Sequence, residues 1–286
     1  MSPPVLRFAP SPNGLLHLGH AASALWNERE AACRGGQLLL RLEDIDPQRS
    51  RPEFAEAIIE DMAWLGVDFT GPVRRQSEHF DDYARALSRL EALGLVYRCG
   101  CSRGVIRRRD PGARFGKDPD GAPIYPGLCR EGGAPDADAP AGRAPAWRLD
   151  MGKALARAPR PLEYMRFDPH GRESIVEARP ERWGDVVLAR AETPTSYHLS
   201  VVVDDAIQGV THVVRGRDLE AATDVHVLLQ RLLGLPTPLY MFHPLVLDEE
   251  RRKLSKSRGS TSLRDLIARG ATPASIRREL GIPPPG

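Results

Sequence analysis

The chain has 286 residues, of which 41% are hydrophobic and 27% are charged, and its formal net charge is only +2. This length accommodates one large α/β domain or two smaller ones. No apolar run approaches the roughly 20 residues of a membrane-spanning helix, and the net charge alone does not indicate a nucleic-acid-binding protein. Because no basic segment followed by an apolar one opens the chain, we expect no signal peptide. The four cysteines suit a reduced cytoplasm.

Residues 1–94 carry the pattern of a strand–helix–strand unit followed by further helices. The first apolar segment is stopped by Pro10 and Pro12, which favours a short buried strand. The predicted elements are strands at 5–9 and 38–42 and helices at 19–34, 51–65 and 80–93. This order predicts a parallel sheet with a right-handed crossover, hence an α/β fold.

Residues 95–184 change in composition and predict an insertion. Three of the four cysteines and several Gly/Pro turns fall within this range, and Glu131 to Gly142 predicts a mobile loop. Basic residues gather in one segment of the insertion: Arg103, Arg107, Arg108, Arg109, Arg114 and Lys117. Two interpretations remain open for this segment, a local RNA-binding surface and a solvated loop.

Residues 185–260 return to a sheet-like pattern, and residues 261–286 predict a short helical C-terminal segment. The predicted elements are strands at 185–188, 198–203, 210–214 and 245–247 and a helix at 219–233. The residues after Ser257 suit two short helices and no further domain. No internal repeat is visible.

The first candidate site follows the first strand and opens the first helix. A helix N-terminus offers unpaired N–H groups and a positive dipole to a phosphate. Gly19 allows a nucleotide to approach the backbone, and His17 and His20 can point the same way on a helical turn. Taken alone, such a histidine pair is more often a surface or packing feature.

The second candidate site is the basic loop Lys253-Leu254-Ser255-Lys256-Ser257. Lysines on such a loop can neutralise the charge that builds on a departing pyrophosphate. Without the histidine motif, a solvated basic loop would be the favoured interpretation.

Together the two motifs resemble the signatures of class I aminoacyl-tRNA synthetases. His17 to His20 is similar to their His-Ile-Gly-His motif, and Lys253 to Ser257 is similar to Lys-Met-Ser-Lys-Ser, with Leu254 in place of Met. The resemblance implies a Rossmann-type parallel-sheet catalytic domain that uses ATP with Mg²⁺ and forms an aminoacyl-adenylate. It also implies catalytic roles for His17, His20 and Lys256, with Gly19 and Lys253 as further ATP-binding residues.

Other segments resemble glutamyl-tRNA synthetases, and they extend over much of the chain. The similar segments are 7–14, 41–46, 195–199, 203–205 and 213–216. The resemblance implies that L-glutamate is bound by Arg7, Ala9, Ser11, Glu43, Tyr197 and Arg215. At position 201 this chain has Val where the family usually has Asn, which leaves open how the pocket holds the ammonium group.

The chemistry of glutamate agrees with this set. Its ammonium group suits Glu43, and its two carboxylates suit the guanidiniums of Arg7 and Arg215. Arg215 favours glutamate over glutamine, since a neutral amide would leave a buried guanidinium unpaired. A purely structural alternative is that Glu43 and Arg7 pair with each other.

The cysteine cluster predicts either a metal site or incidental buried thiols. Cys99, Cys101 and Cys129 provide three thiolates, one short of a closed tetrahedral zinc site. Resemblance to glutamyl-tRNA synthetases and their relatives implies Tyr125 as the fourth ligand and one Zn²⁺ per chain. Cys33, inside the first predicted helix, is expected to be a packed thiol.

We expect no anticodon-binding domain after residue 260. With this expectation and its Cys-x-Cys, Tyr, Cys pattern, the chain resembles a subgroup of the family that attaches glutamate to queuosine in the anticodon loop of tRNA(Asp). The resemblance implies ATP, L-glutamate and that anticodon loop as partners, no membrane, and a monomer. Two alternatives stay open: a fragment that charges a tRNA 3′ end, and a non-catalytic RNA-binding relic.

Overall fold

The computed structural model describes residues 2–110, 112, 114–131, 144–248, 250, 254 and 260–285. Among these residues the strands are β1 Val5–Phe8, β2 Gln37–Leu42, β3 Arg74–Arg75, β4 Val96–Cys99, β5 Ala146–Leu149, β6 Glu163–Phe167, β7 Glu173–Glu177, β8 Val187–Ala189, β9 His212–Gly216 and β10 Leu239–His243. The helices are α1 Leu18–Cys33, α2 Pro52–Leu65, α3 Phe80–Ala92, α4 Arg103–Arg109, α5 Met151–Arg157, α6 Tyr197–Ile207, α7 Thr223–Leu233, α8 Leu263–Ala268 and α9 Pro273–Leu280.

The parallel strands form two groups that meet side by side. Strand β1 pairs in parallel with β2, and β2 with β3. Strand β10 pairs in parallel with β9 and β6, and β7 joins β6 antiparallel. The groups meet where Thr211 N–H donates to the Val5 carbonyl at 2.9 Å. The predicted α/β fold and its strand–helix–strand unit are therefore confirmed.

Helices cover both faces of this sheet, because successive residues of a central strand enter different cores. Val213 packs with residues of α3, α6 and α7, whereas Val214 packs with residues of α1, α2 and α9. Strand β10 alternates in the same way, with Tyr240 in the first core and Met241 in the second. A parallel sheet buried on both faces is the expected architecture for alternating strands and helices.

A separate antiparallel sheet carries the cysteines. Strand β5 pairs with β4 and with β8, and Cys99 ends β4. The predicted insertion, residues 95–184, contains this sheet, but β6 and β7 from the same range extend the parallel sheet. The division into residues 1–94, 95–184, 185–260 and 261–286 stays a prediction.

Two predicted strands and one packing assignment were wrong. Residues 198–203 lie in α6, whose β-branched valines favour a strand. The segment is helical because Ser196 caps it and because its residues 199–205 are buried all round, which removes the amphipathic period. The late strand is β10 and ends before Pro244, which has no N–H for the ladder, whereas a strand was expected at 245–247. Cys33 is exposed at the end of α1.

The two C-terminal helices are present as predicted. Pro273 occupies the first turn of α9, where its missing N–H is not needed. None of the helices in the described part of the chain combines the length and apolar character that a membrane crossing requires. Residues 132–142 of the predicted mobile loop lie outside the described residues.

Candidate active site

A cavity of about 680 Å³ opens where β1 and β9 lie side by side. Crevices at such a reversal of strand order are the usual ligand sites of open α/β sheets. Nine of the residues singled out from sequence line it together: Arg7, Ala9, Ser11, His17, Gly19, His20, Glu43, Tyr197 and Arg215. The structure thus places the histidine motif and all six candidate glutamate-binding residues around the same cavity.

The histidine motif forms the N-terminus of α1. His17 is the N-cap, and its Nδ1 accepts the Gly19 N–H at 3.1 Å, while the His17 N–H donates to Nδ1 of His20 at 3.2 Å. A Cβ atom at Gly19 would lie 2.9 Å from the His17 ring, so the tight turn favours glycine. No acidic residue occupies the first turn of α1. The positive end of this helix is therefore compatible with an anionic ligand.

The chain around the basic loop is tied to the histidine motif. His17 and Ser262 form an antiparallel bridge, and the Leu263 N–H donates to the Leu16 carbonyl at 2.7 Å. Leu254 lines the cavity. Lys253 and Lys256 lie outside the described residues.

Arg7 and Glu43 both line the cavity, and each forms an ion pair with a different residue. Arg7 pairs with Asp205 at 3.2 Å, and Glu43 pairs with Arg41 at 3.6 Å. Within the described residues Arg7 and Glu43 thus form their ion pairs with other partners and not with each other. Burial raises the pKa of Glu43 above its ordinary value, although Arg41 and Arg7 act to lower it.

Arg215 is buried but is held only by neutral groups. Its Nη1 donates to the Tyr197 hydroxyl at 3.2 Å and to Nδ1 of His226 at 3.2 Å, and its Nη2 donates to Thr223 Oγ1 at 2.7 Å. Across the described residues no carboxylate forms an ion pair with this guanidinium, and its Nε has no hydrogen-bond partner. A buried cation without a counter-ion is costly unless a ligand supplies one.

A buried network beneath the cavity was not recognised as such from sequence. Arg41, which has no exposed surface, contacts Asp205 at 2.8 Å and Asp204 at 3.8 Å. Asp204 also accepts hydrogen bonds from Tyr83 and Gln76. Burial acts to raise the pKa of Asp205, but Arg7 and Arg41 together lower it below its ordinary value. The sequence did mark segments 41–46 and 203–205 by their motif similarity, but that similarity did not show that Arg41 pairs with Asp204 and Asp205.

Val201 lies away from the cavity. Its side chain is 1% exposed and packs in the core formed with α3 and α7. It is not among the described residues that line the cavity.

The cysteine cluster forms a compact donor set at the end of β4. The Sγ atoms of Cys99, Cys101 and Cys129 lie within 4.8 Å of one another. The Tyr125 hydroxyl lies 3.6 Å from Cys101 Sγ and accepts the Cys129 N–H at 3.0 Å. Tetrahedral zinc with thiolates at about 2.3 Å places sulfurs about 3.8 Å apart, so these residues fit a zinc ion.

The basic segment of the insertion begins in helix α4, and the exposed residues Arg114 and Lys117 follow that helix. Arg107, Arg108 and Arg109 are exposed in the last turn of α4. Arg114 is exposed and pairs with Asp110 at 3.3 Å. The backbone of Arg103 lies in the same helix. The segment is thus a charged surface, and both interpretations of it stay open.

Comparison with known proteins gives one consistent result. The family model for the catalytic domain of class I tRNA synthetases (E and Q) matches residues 5–129 and 152–280. A Rhodobacter capsulatus protein named glutamyl-Q tRNA(Asp) synthetase is 46% identical over 286 residues, which cover 97% of this chain and 100% of that protein. A protein of the same name from Janthinobacterium is 42% identical and is covered over 83% of its length.

A solved structure agrees with these sequences. The glutamate tRNA ligase of Elizabethkingia meningosepticum, crystallised in complex with its amino acid, superposes with a TM-score of 0.68 at 26% identity. The match covers 94% of this chain and 54% of the ligase. The present chain therefore spans about half the length of that enzyme.

Proposed function

Because this chain belongs to the family of class I tRNA synthetase catalytic domains for glutamate and glutamine, we propose that it activates L-glutamate with ATP and transfers it to queuosine in the anticodon loop of tRNA(Asp). The observation that carries the choice of glutamate is Arg215, a buried cation with no ion-pair partner in the described chain, facing the cavity. The relatives' names support the choice of tRNA(Asp).

The two ends of glutamate find complementary groups in the cavity. Glu43 binds the α-ammonium, while Arg215, which forms no ion pair among the described residues, binds a carboxylate. Arg7 is already paired with Asp205, so it serves as a hydrogen-bond donor of reduced net charge. Ala9, Ser11 and Tyr197 complete the site with their polar atoms and surfaces. Glutamine would leave Arg215 uncompensated, which is a strong penalty in a buried site.

Activation requires ATP beside the α-carboxylate. A carboxylate oxygen attacks the α-phosphorus, pyrophosphate leaves, and glutamyl-adenylate remains. Mg²⁺, bound with ATP, neutralises phosphate charge. Gly19, which has no side chain, lets the phosphates approach the positive end of α1, and His17 and His20 donate hydrogen bonds to their oxygens. Lys253 and Lys256 stabilise the charge on the departing pyrophosphate.

Transfer needs an RNA hydroxyl in place of pyrophosphate. A hydroxyl of the queuosine cyclopentene ring attacks the acyl carbonyl, AMP leaves, and an ester forms. Single-stranded loops present splayed bases to proteins, so an anticodon loop can enter the cavity directly. The exposed arginines of α4 are candidates for contacts with its phosphates.

We further propose that one zinc ion bound by Cys99, Cys101, Tyr125 and Cys129 fixes the insertion.

We also propose that the enzyme acts as a cytoplasmic monomer and that it activates glutamate without tRNA. Purified protein should catalyse glutamate-dependent exchange of pyrophosphate into ATP in the absence of tRNA. A strict requirement for tRNA contradicts this part of the proposal.

Glutamate transfer to tRNA(Asp), with and without queuosine, tests the second step. An isolated anticodon stem-loop that contains queuosine should accept glutamate nearly as well as the whole tRNA. The guanosine-containing stem-loop is the matched control and should accept none. Charging of the 3′ end of unmodified tRNA(Glu) would support the alternative suggested by the glutamate tRNA ligase likeness.

A further inference from the structure

A chain of three side chains runs inward from the cavity, of which Arg215 and His226 are buried and His198 is partly buried. Arg215 Nη1 lies 3.2 Å from His226 Nδ1, and His226 Nε2 lies 3.3 Å from His198 Nδ1. His226 is 1% exposed. The two histidines belong to α7 and α6, so the chain links two helices to the candidate specificity arginine.

The hydrogen bonds fix the protons on both rings. A guanidinium can only donate, so Nδ1 of His226 accepts from Arg215 and the proton of His226 resides on Nε2. That N–H donates to Nδ1 of His198, whose own proton is then on Nε2. Burial and the charge of Arg215 lower the pKa of His198 to about 4 and that of His226 well below its ordinary value. Both rings are neutral at pH 7.

We infer that His226 is a positioning and specificity residue, which holds Arg215 by a hydrogen bond while leaving the positive charge of Arg215 available to the substrate carboxylate. The inference rests on the proposed activation of glutamate. Arg7 provides the internal contrast, because Asp205 both orients it and offsets its charge. An acidic residue at position 226 would do to Arg215 what Asp205 does to Arg7, and it would compete with glutamate.

Packing alone offers a different account of the same residue. The His226 ring lies 5.4 Å from the rings of Tyr197 and His198, and the His198 ring lies 5.4 Å from that of Trp183. A role limited to packing depends on the size and shape of the side chain. Glutamine and glutamate have the same shape and differ in charge, so this pair separates the two accounts.

The test compares His226→Gln, His226→Glu and His226→Leu in glutamate-dependent pyrophosphate exchange. Glutamine retains a neutral acceptor and should keep KM for glutamate within about threefold. The His226→Glu variant should raise KM for the substrate glutamate about 10–100-fold, the effect of one charged hydrogen bond. The His226→Leu variant should also raise this KM, because Arg215 loses an acceptor. KM for ATP should change little in all three. His212→Gln, on β9 outside the cavity, reports the general effect of a histidine-to-glutamine change.

A second readout is the preference for glutamate over glutamine, measured as the ratio of kcat/KM values. This ratio should fall in the His226→Glu variant and be largely retained in His226→Gln. Equal KM shifts for the Gln, Glu and Leu variants would overturn the inference. If the Glu variant does not fold, a Leu variant equal to the Gln variant overturns it. Exchange that is absent from the wild type overturns the proposed function as well.

Discussion

The cavity beside β1 and β9, called the crevice from here on, and the thiol cluster of Cys99, Cys101, Cys129 and Tyr125 are both polar sites, but different interactions stabilise them. The crevice lies between two apolar cores that cover the faces of a parallel sheet. Its charged residues are oriented by ion pairs such as those of Arg41 and Asp205. The buried part of the thiol cluster consists of three residues, and all three are candidate metal ligands.

This difference separates a preorganised site from one that depends on its ligand. The crevice keeps its geometry because packing and buried ion pairs fix it before any substrate binds. Within the described residues only Tyr97, Cys101 and Ile106, all partly buried, pack against the three buried residues of the thiol cluster, so a bound metal would supply much of its folding energy. Changes in one region should therefore leave the other largely intact.

The largest expected effect comes from breaking the ion-pair network beneath the crevice. Asp205→Asn leaves Arg41 and Arg7 buried without full compensation, and it should lower the free energy of unfolding by about 3–5 kcal/mol. Chemical denaturation measures this change. Glu177→Gln is the matched control, because Glu177 and its partner Arg179 are both more than 60% exposed and such pairs contribute little. Equal losses in the two variants would refute the structural role assigned to Asp205.

A second prediction separates the chemical step from folding. Lys256→Ala should lower the rate of pyrophosphate exchange about 10²–10³-fold, the effect of removing one preorganised transition-state contact. Its free energy of unfolding should stay close to that of the wild type. Lys153→Ala, on the surface of α5, is the control and should keep the exchange rate. A Lys256→Ala enzyme with undiminished exchange would exclude Lys256 from the activation step.

Local patterns predicted the part of the fold that is built from local contacts. The unit β1–α1–β2 was predictable because its strands are short apolar runs and its helix ends shortly before Gly35 and Gly36. Helix α6 was not, because a helix buried on every side loses the amphipathic period, and its valines then resemble a strand. Tertiary packing overrode local propensity there.

The residues of the candidate site were accessible from sequence by motif, but their pairing was not. Arg7 and Asp205 are separated by 198 positions, and no local pattern reports such a contact. His226 gave no signal at all, since a single histidine in an apolar helix is most often a core residue. Its significance came only from its contact with Arg215 in the folded structure.

A third prediction tests the metal-dependent region. Purified protein should contain about one zinc ion per chain. Cys129→Ser should weaken zinc binding by at least about 10–100-fold and lower transfer to RNA, while glutamate-dependent exchange stays near the wild-type rate. Cys33→Ser is the control, because Cys33 is exposed and distant in sequence from the cluster. A wild-type protein that keeps its stability and its transfer activity after the metal is removed would refute the zinc site.

The smallest expected effect is a pH dependence of stability that belongs to the crevice side alone. Burial lowers the pKa of His198 to about 4, whereas the ordinary value is 6.5. Between these values the unfolded chain binds a proton that the folded chain does not, so stability rises with pH across this window. From pH 7 to pH 5 this one group should cost about 2 kcal/mol of unfolding free energy. Because carboxylates also begin to titrate near pH 5, the quantity to measure is the difference between the wild type and His198→Gln. The wild type should lose more stability than the variant on acidification, and an equal loss would show that His198 is protonated in the folded protein.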